Sequence, residues 1–562
     1  MDIVRERLLM EQMGKMSEKN EKLMKKKDEN DKKFGQRGFV YNRVYTCVLL
    51  AFIQLIVWIV LLYFVEYEAT PIFRTVIWTI AGVFVLYLVN RTDNDASAKL
   101  KWIIMILVFP VIGIAFFLMY GEGRPTVYMK KRLSESKEKN KSYLIQTERT
   151  ERLVDEAGRN GAVCKYLLSQ AGYPCYTDGT LDYYPTGVEL FEEMMKELEK
   201  AEKFVLIEYF IIGKGKLWER LKAKLLEKAE SGVKIYIIFD DFGSVLVLPR
   251  HYEKRLESMH ENIKCIAFNR VMPLFAIHQN NRDHRKMFVV DDKVAFTGGL
   301  NLADEYIGER IRFGDWKDSG VKVQGGAVNS FIVMFFDLWN AFCKDKAKKV
   351  DLKTLLGEID DAKETLLKRE EKSLQEQGER AQFFVQPFDD SPLDRKSDGE
   401  FVYLDLIDRA SKYVYVFTPY LILPDGLRVA LCHASMRGVD VRIVTPAIPD
   451  KKMVFRMTRA NYPVLMQHGV KIYEYTPGFL HSKSIVVDDE YAVVGSINFD
   501  YRSLYLHFEN AVYFSGCDAV KAVRKDCENT FEVSRLQTEE TTKRSWFGRL
   551  VDSILRLFDT VV

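Results

Sequence analysis

Two stretches of the chain carry residue types that could do phosphoryl chemistry together. Residues 284–301 read HRKMFVVDDKVAFTGGLN and residues 481–498 read HSKSIVVDDEYAVVGSIN. Each runs His, one residue, Lys, four residues, Asp, six residues, Gly-Gly or Gly-Ser, one residue, Asn. A lone H-x-K carries no information, but two copies in the same order, 197 residues apart, are an internal repeat of a functional set. An imidazole can attack phosphorus at neutral pH and later leave. A second imidazole on the far side can protonate the departing alkoxide and then deprotonate the incoming hydroxyl. Lys286 and Lys483 would neutralise the non-bridging oxygens, and Asn301 and Asn498 would donate further hydrogen bonds as charge builds. With the lysines in that role the chemistry needs no metal, and nothing in the pattern implies a cofactor.

The elements that must position these residues follow from periodicity. Behind each lysine lies an apolar run, residues 287–290 and 484–487, followed by a second strand pattern at 294–297 and 491–494. Histidine and lysine, two apart, then project from one face of a strand toward one pocket, and the Gly pair lets backbone approach a ligand. Upstream, KFVLIEYF (203–210) and VKIYIIF (233–239) read as buried strands flanking an amphipathic helix at 218–229. KYVYVF (412–417), a helix at 427–436 and VDVRIV (439–444) repeat that order. The alternation predicts an α/β fold with a mostly parallel sheet in each half. The halves span residues 161–350 and 381–540, joined by a charged helical linker at 351–380.

A hydrophobic content of 48% over 562 residues allows a sizeable core in more than one globular unit. A net charge of +3 excludes a nucleic-acid binder that works by bulk charge. The eight cysteines are scattered with no C-x-x-C, so they define neither a metal site nor a disulfide framework.

Ahead of the α/β region lie a charged arm (residues 1–42), a membrane region (43–122) and a basic linker (123–160). Residues 46–65, 72–89 and 102–120 are each close to the roughly 20 residues that cross a bilayer core. The basic arm, the acidic turn at Glu66 and Glu68, and the basic loop with Arg91, Lys99 and Lys101 predict a hairpin with both ends in the cytoplasm. Pro110 and Gly113 interrupt the third segment. If it dips in and returns, the catalytic region is cytoplasmic; a full crossing would place it outside. At the other end, residues 541–562 form an amphipathic helix with Trp546, Leu550, Ile554 and Leu557 on one face, suited equally to a membrane interface or to packing on the domain.

The paired motifs resemble the HKD signature of the phospholipase D superfamily over roughly residues 161–537. The resemblance implies two pseudo-symmetric phospholipase D-like lobes sharing one active site, preceded by N-terminal transmembrane helices. Its catalytic set is His284, Lys286, Asp291, His481, Lys483 and Asp488, with the two aspartates expected to support structure more than chemistry. It also implies a histidine-orienting carboxylate downstream of each motif, Asp318 for the first and Glu509 for the second, although their spacings of 34 and 28 residues differ.

Within the superfamily, the hydrophobic run broken by Pro and Gly and the wording NRDHRKM (281–287) resemble bacterial cardiolipin synthases. That implies a multi-pass protein of the bacterial cell membrane whose partners are phosphatidylglycerol and cardiolipin, with no nucleic acid and the oligomeric state left open. The implied reaction joins two phosphatidylglycerol molecules through a phosphatidyl-histidine, with His284 as nucleophile and His481 as acid and base, and releases glycerol. Rival readings are a hydrolytic phospholipase D, another phosphatidyltransferase and an inactive membrane scaffold. Val271, Met272, Leu274 and Phe275, and residues 477–480, are suited equally to a lipid-facing edge or to ordinary core packing.

Overall fold

The structure is a computed structural model that describes residues 56, 57, 60, 70–91, 96–118, 127–271, 281–377, 383–394 and 396–556. The charged arm, nearly all of the first apolar segment, and Met272, Leu274 and Phe275 lie outside the described residues.

The strand patterns fold into a mixed α/β architecture with two large sheets. In the first half the strands are β1 (Leu181–Tyr184), β2 (Phe204–Tyr209), β3 (Lys234–Asp240), β4 (Ile263–Phe268), β5 (Arg282–Asp283), β6 (Lys286–Val290), β7 (Val294–Gly298), β8 (Asp315–Lys317) and β9 (Gly320–Gln324). The second half supplies β10 (Phe384–Asp390), β11 (Tyr413–Phe417), β12 (Asp440–Pro446), β13 (Lys471–Tyr475), β14 (Gly478–Leu480), β15 (Ser484–Val487), β16 (Tyr491–Gly495), β17 (His507–Ser515) and β18 (Ser534–Leu536). The sheet orders are β1-β9-β7-β6-β2-β3-β4 and β10-β17-β16-β15-β11-β12-β13-β18. Apart from β18 the two orders match strand for strand.

Along these two orders only β2-β3-β4 and β11-β12-β13 run parallel, each linked by helical crossovers such as Lys216–Glu230 and Asp425–Met436. The motif strands β6-β7 and β15-β16 are antiparallel hairpins, and β9, β1, β17 and β10 continue antiparallel. This corrects the expected mostly parallel sheets. Three residues between strands cannot make a parallel crossover, which needs a dozen or more.

The helix Val328–Phe342 is apolar on nearly every side and almost fully buried, as a helix without a polar face must be. It joins side chains of both sheets in one core, including Phe204 and Met287 from the first and Val414 and Phe508 from the second. The basic stretch before the α/β region forms the helix Val127–Asn140, which packs on this core helix. Its Asn140 donates to Asp337 at 2.7 Å and its Lys137 pairs with Asp389 at 3.0 Å.

Among the described residues one helix, Pro71–Asn90, is long and apolar enough to cross a membrane. Thr70 caps its start, accepting from the Phe73 N–H, and Pro71 takes the first turn, where its missing N–H costs nothing. Twenty residues at 1.5 Å each reach about 30 Å, one hydrocarbon core. The third apolar segment is not one span. It breaks into Ala96–Val108 and Pro110–Phe116, with Phe109 pushed out of the helical region by the proline that follows. Gly113 seats on the backbone of Met105 and Ile106, so the short helix folds back against the longer one. Any side chain at Gly113 would prop the two apart.

Candidate active site

Both histidines sit where the sheets meet, just ahead of the motif strands rather than within them. Strand β5 pairs in parallel with β17, setting Asp283 opposite Phe508; β14 pairs in parallel with β8, setting Leu480 opposite Lys317. One residue further on, the His284 N–H donates to the Phe508 carbonyl at 2.9 Å, and the His481 N–H to the Lys317 carbonyl at 2.7 Å. Glu509 comes next in β17, and Asp318 directly follows the end of β8. His284 Nδ1 therefore donates to Glu509, 2.8 and 3.0 Å from its two oxygens, and His481 Nδ1 donates to Asp318 at 2.8 Å. Each carboxylate thus orients the histidine of the opposite half. This corrects the expectation that each serves its own motif.

The lysines occupy equivalent positions. Lys286 Nζ donates to the His284 carbonyl at 2.7 Å, and Lys483 Nζ donates to the His481 carbonyl. Burial pulls Lys286 down to about 8 against the opposing charges of Glu509 and Asp318. Lys483 falls to about 7, through burial and the neighbouring Lys286 charge, again opposed by Asp318 and Glu509. Each lysine feels both carboxylates, which places the two half-sets in one charged cluster. Burial, followed by the charges of Lys286, Lys483 and His481, holds His284 far below the usual imidazole range, and burial with Lys483 lowers His481 to about 4. Both rings are neutral at pH 7. With Nδ1–H committed to a carboxylate, Nε2 is left as the basic nitrogen. Each histidine is 8% exposed, enough to meet a substrate without standing in bulk water.

A family model described as "Cardiolipin synthase, PLD-like domain" matches residues 194–310 and 403–531, which include both histidine motifs and Glu509. A protein of Streptococcus mutans described as uncharacterized is 38% identical over 84% of this chain and 98% of its own length. A cardiolipin synthase of Halalkalibacterium halodurans is 30% identical over 87% of this chain and 93% of its own. The chain belongs to the cardiolipin synthase family. Among solved structures, the phosphatidylserine synthase of Haemophilus influenzae aligns with a TM-score of 0.51 at 14% identity, over 71% of this chain and 97% of that one, a likeness of fold.

In this member of the cardiolipin synthase family, Asp291 and Asp488 follow the far ends of β6 and β15, seven residues on from the histidines. Both adopt positive φ, 53° and 56°. Asp291 accepts from the N–H groups of Glu202, Lys203 and Phe204, and Asp488 from those of Ser411, Lys412 and Tyr413. They pin β2 and β11 to the hairpin turns, a structural role. The asparagines are engaged within the protein: Asn301 donates to the Tyr306 hydroxyl at 2.7 Å and Asn498 to the Ser503 hydroxyl at 3.0 Å.

The Gly pair serves a different close approach from the one expected. A Cβ on Gly299 would lie 2.0 Å from Asp318 Oδ1, so the glycine admits the orienting carboxylate rather than a ligand. In the second motif Ser496 stands at that place and donates to Glu509 at 2.5 Å. The longer Glu side chain leaves room for the hydroxyl, and the shorter Asp demands the glycine.

Three further features escape sequence reasoning. Arg285, between His284 and Lys286, points away from the site and pairs with Glu208 at 2.6 Å, Asp283 at 3.4 Å and, from the second half, Asp389 at 3.5 Å. His507, on β17, is buried with neither ring nitrogen hydrogen-bonded, its ring 5.4 Å from that of His284. The rings of Tyr306, Trp316 and Phe479 stand within 6 Å of His481, and Phe210 stands 5.1 Å from His284. Phe479 and Leu480 are therefore interior, which favours core packing over a lipid-facing edge at 477–480. The alternation of β17 could have flagged His507, two residues before Glu509 on the same face. Nothing local marks the others.

Proposed function

We propose that this chain transfers a phosphatidyl group from one phosphatidylglycerol to another, giving cardiolipin and glycerol. The crossed histidine–carboxylate pairs beside two buried lysines carry the reading. They supply a nucleophile, an acid and base, and cations for a phosphodiester. His284 Nε2 attacks phosphorus, the bond to the departing glycerol oxygen breaks, and His481 gives that oxygen its proton. His481 then takes the proton of the second phosphatidylglycerol's headgroup hydroxyl as that oxygen displaces His284 from phosphorus. The anionic phosphate, once between the lysines, raises their pKa values and that of His481, so the acid is charged when substrate is present.

Two observations support His284 as the nucleophile. Both Glu509 oxygens lie within 3.0 Å of its Nδ1, and Ser496 braces that carboxylate from behind. His481 instead has Lys483 Nζ 2.9 Å from its Nδ1, a less settled arrangement suited to a group that changes protonation. The aromatic side chains around both rings keep water from the phosphatidyl-histidine.

The protein sits in the bacterial cell membrane with its α/β region on the cytoplasmic side. The helix Pro71–Asn90 crosses, and the folded-back segment at 96–116 dips in and returns. The test is to incubate the purified full chain in vesicles of headgroup-labelled phosphatidylglycerol. Cardiolipin and free glycerol in equal amounts are expected. Phosphatidic acid as the main lipid product would replace this reading with hydrolysis.

A further inference from the structure

The C-terminal helix Trp546–Arg556 is mounted with its polar side inward. Buried Asp552 accepts from Arg456 at 2.6 Å and pairs with Arg544 at 3.2 Å. Arg456 also donates to the Gly548 carbonyl at 2.9 Å, and Arg556 to that of Ala460. Leu555 completes the seat against Ile422, Val454 and Met457. The opposite side carries Trp546, Phe547, Leu550 and Ile554, each about half exposed or more. A helix serving only to cover the domain would bury that stripe. Ion pairs hold this one in place and turn its apolar face outward.

Its surroundings say what covers that face. The seat is the helix Lys452–Gln467, whose start runs back to the active site. Lys451, the residue before it, contributes to lowering the His284 imidazole, and Tyr420 of the same apolar seat donates to Asp450 at 2.6 Å. Exposed apolar side chains continue along this path. Met453 is half exposed, and Ile448 packs against Gly314, three residues after the outward-facing Ile311 of the first half. Lys451 and Lys452 at the start of the seat and Arg549 on the helix itself are exposed as well. An apolar stripe accompanied by exposed cations fits the acyl boundary and phosphate layer of an anionic bilayer. A second copy of this chain, meeting the stripe by apolar contact, would gain nothing from the cations.

We propose that Trp546–Arg556 docks on the surface of an anionic bilayer, a second membrane contact at the opposite end of the chain from the spanning helix. It seats the mouth of the site on the headgroup layer. The inference rests on the reading that the substrates are membrane phospholipids, and its test needs no turnover.

The full chain carrying Leu550→Cys, labelled with a polarity-sensitive fluorophore, is reconstituted into vesicles of phosphatidylglycerol and phosphatidylcholine, with the identically treated parent chain as background. Blue-shifted emission and quenching by a lipid-borne quencher near the headgroup end of the acyl chain are expected. Leu550 faces outward, so Trp546→Cys label in a Leu550→Glu/Ile554→Glu background should keep its helical content and lose about tenfold of that quenching. Free access of an aqueous quencher to the label at 550 would overturn the proposal. So would energy transfer between labels of two copies persisting in detergent, which would assign the stripe to self-association. Failure of the product assay with quenching intact would instead count against the reaction alone.

Discussion

His284 and Glu509 stand 225 residues apart in the chain, yet Nδ1 of the one donates to the carboxylate of the other at 2.8 Å. The two-residue pairing of β5 with β17 delivers them, and β14 with β8 repeats the device for His481 and Asp318. Neither half holds a complete histidine–carboxylate pair by itself. Crossed pairing makes a specific statement about kinetics. Glu509→Gln should lower kcat by about 10²–10⁴, the range for a misoriented acid–base group. Adding it to His284→Ala should cost almost nothing more, because the two act as one unit. Phosphatidyl-enzyme trapping by rapid quench is the measurement; a fully additive Glu509→Gln/His284→Ala pair would dissolve the crossed assignment.

The pH profile should fall on its alkaline side. A lysine holds its charge below its pKa and loses it above, and Lys483 and Lys286 are pulled down to about 7 and about 8. The histidines are already neutral well above pH 4, the value to which His481 is lowered. Thus kcat/KM, which reports the free enzyme, should fall more steeply above about pH 7, while kcat drops less because bound phosphate restores the lysine charges. Lys483→Arg should carry the descending limb upward.

Gly299→Ala should cost activity out of proportion to its size. The new Cβ meets Asp318 at 2.0 Å, displacing the group that orients His481. A loss in kcat of at least about tenfold with KM little changed is expected, since the binding lysines are untouched. Ser496→Gly in the other half removes only a brace on Glu509 and should cost less.

Arg285→Met should unfold the junction rather than alter chemistry. The guanidinium is the shared partner of Glu208, Asp283 and Asp389, all buried, and its removal strands the first two and leaves Asp389 with Lys137 alone. A destabilisation of about 3–5 kcal/mol is expected from a broken buried ion pair. Thermal unfolding in detergent measures it, and a variant that keeps its midpoint would show the network to be dispensable.

His507→Phe separates packing from function. Burial lowers the imidazole to about 3 against the nearby Glu509 carboxylate, 3.7 Å from Nδ1, and neither nitrogen is hydrogen-bonded, so an apolar ring of similar volume should raise stability by about 1 kcal/mol. A polar group kept at such a cost beside His284 should matter to turnover, and kcat/KM is expected to fall about tenfold. Wild-type activity in the stabilised variant would reduce His507 to filler.

The sequence by itself determined the repeated His-x-Lys sets, the strands that carry them and the apolar helix at 71–90. Apolar runs and their periods are local properties, and β2, β3, β11 and β12 formed within a residue or two of where the pattern put them. Family resemblance supplied Asp318 and Glu509 as orienting groups but not their partners. Which histidine each one holds, why Gly299 must be small and where Arg285 turns were decided only when two sheets of matching strand order closed on the helix Val328–Phe342. The tertiary structure likewise turned the C-terminal helix ion-pairs-inward. Contacts across hundreds of residues have no period to read; they exist only once burial has brought the two halves together.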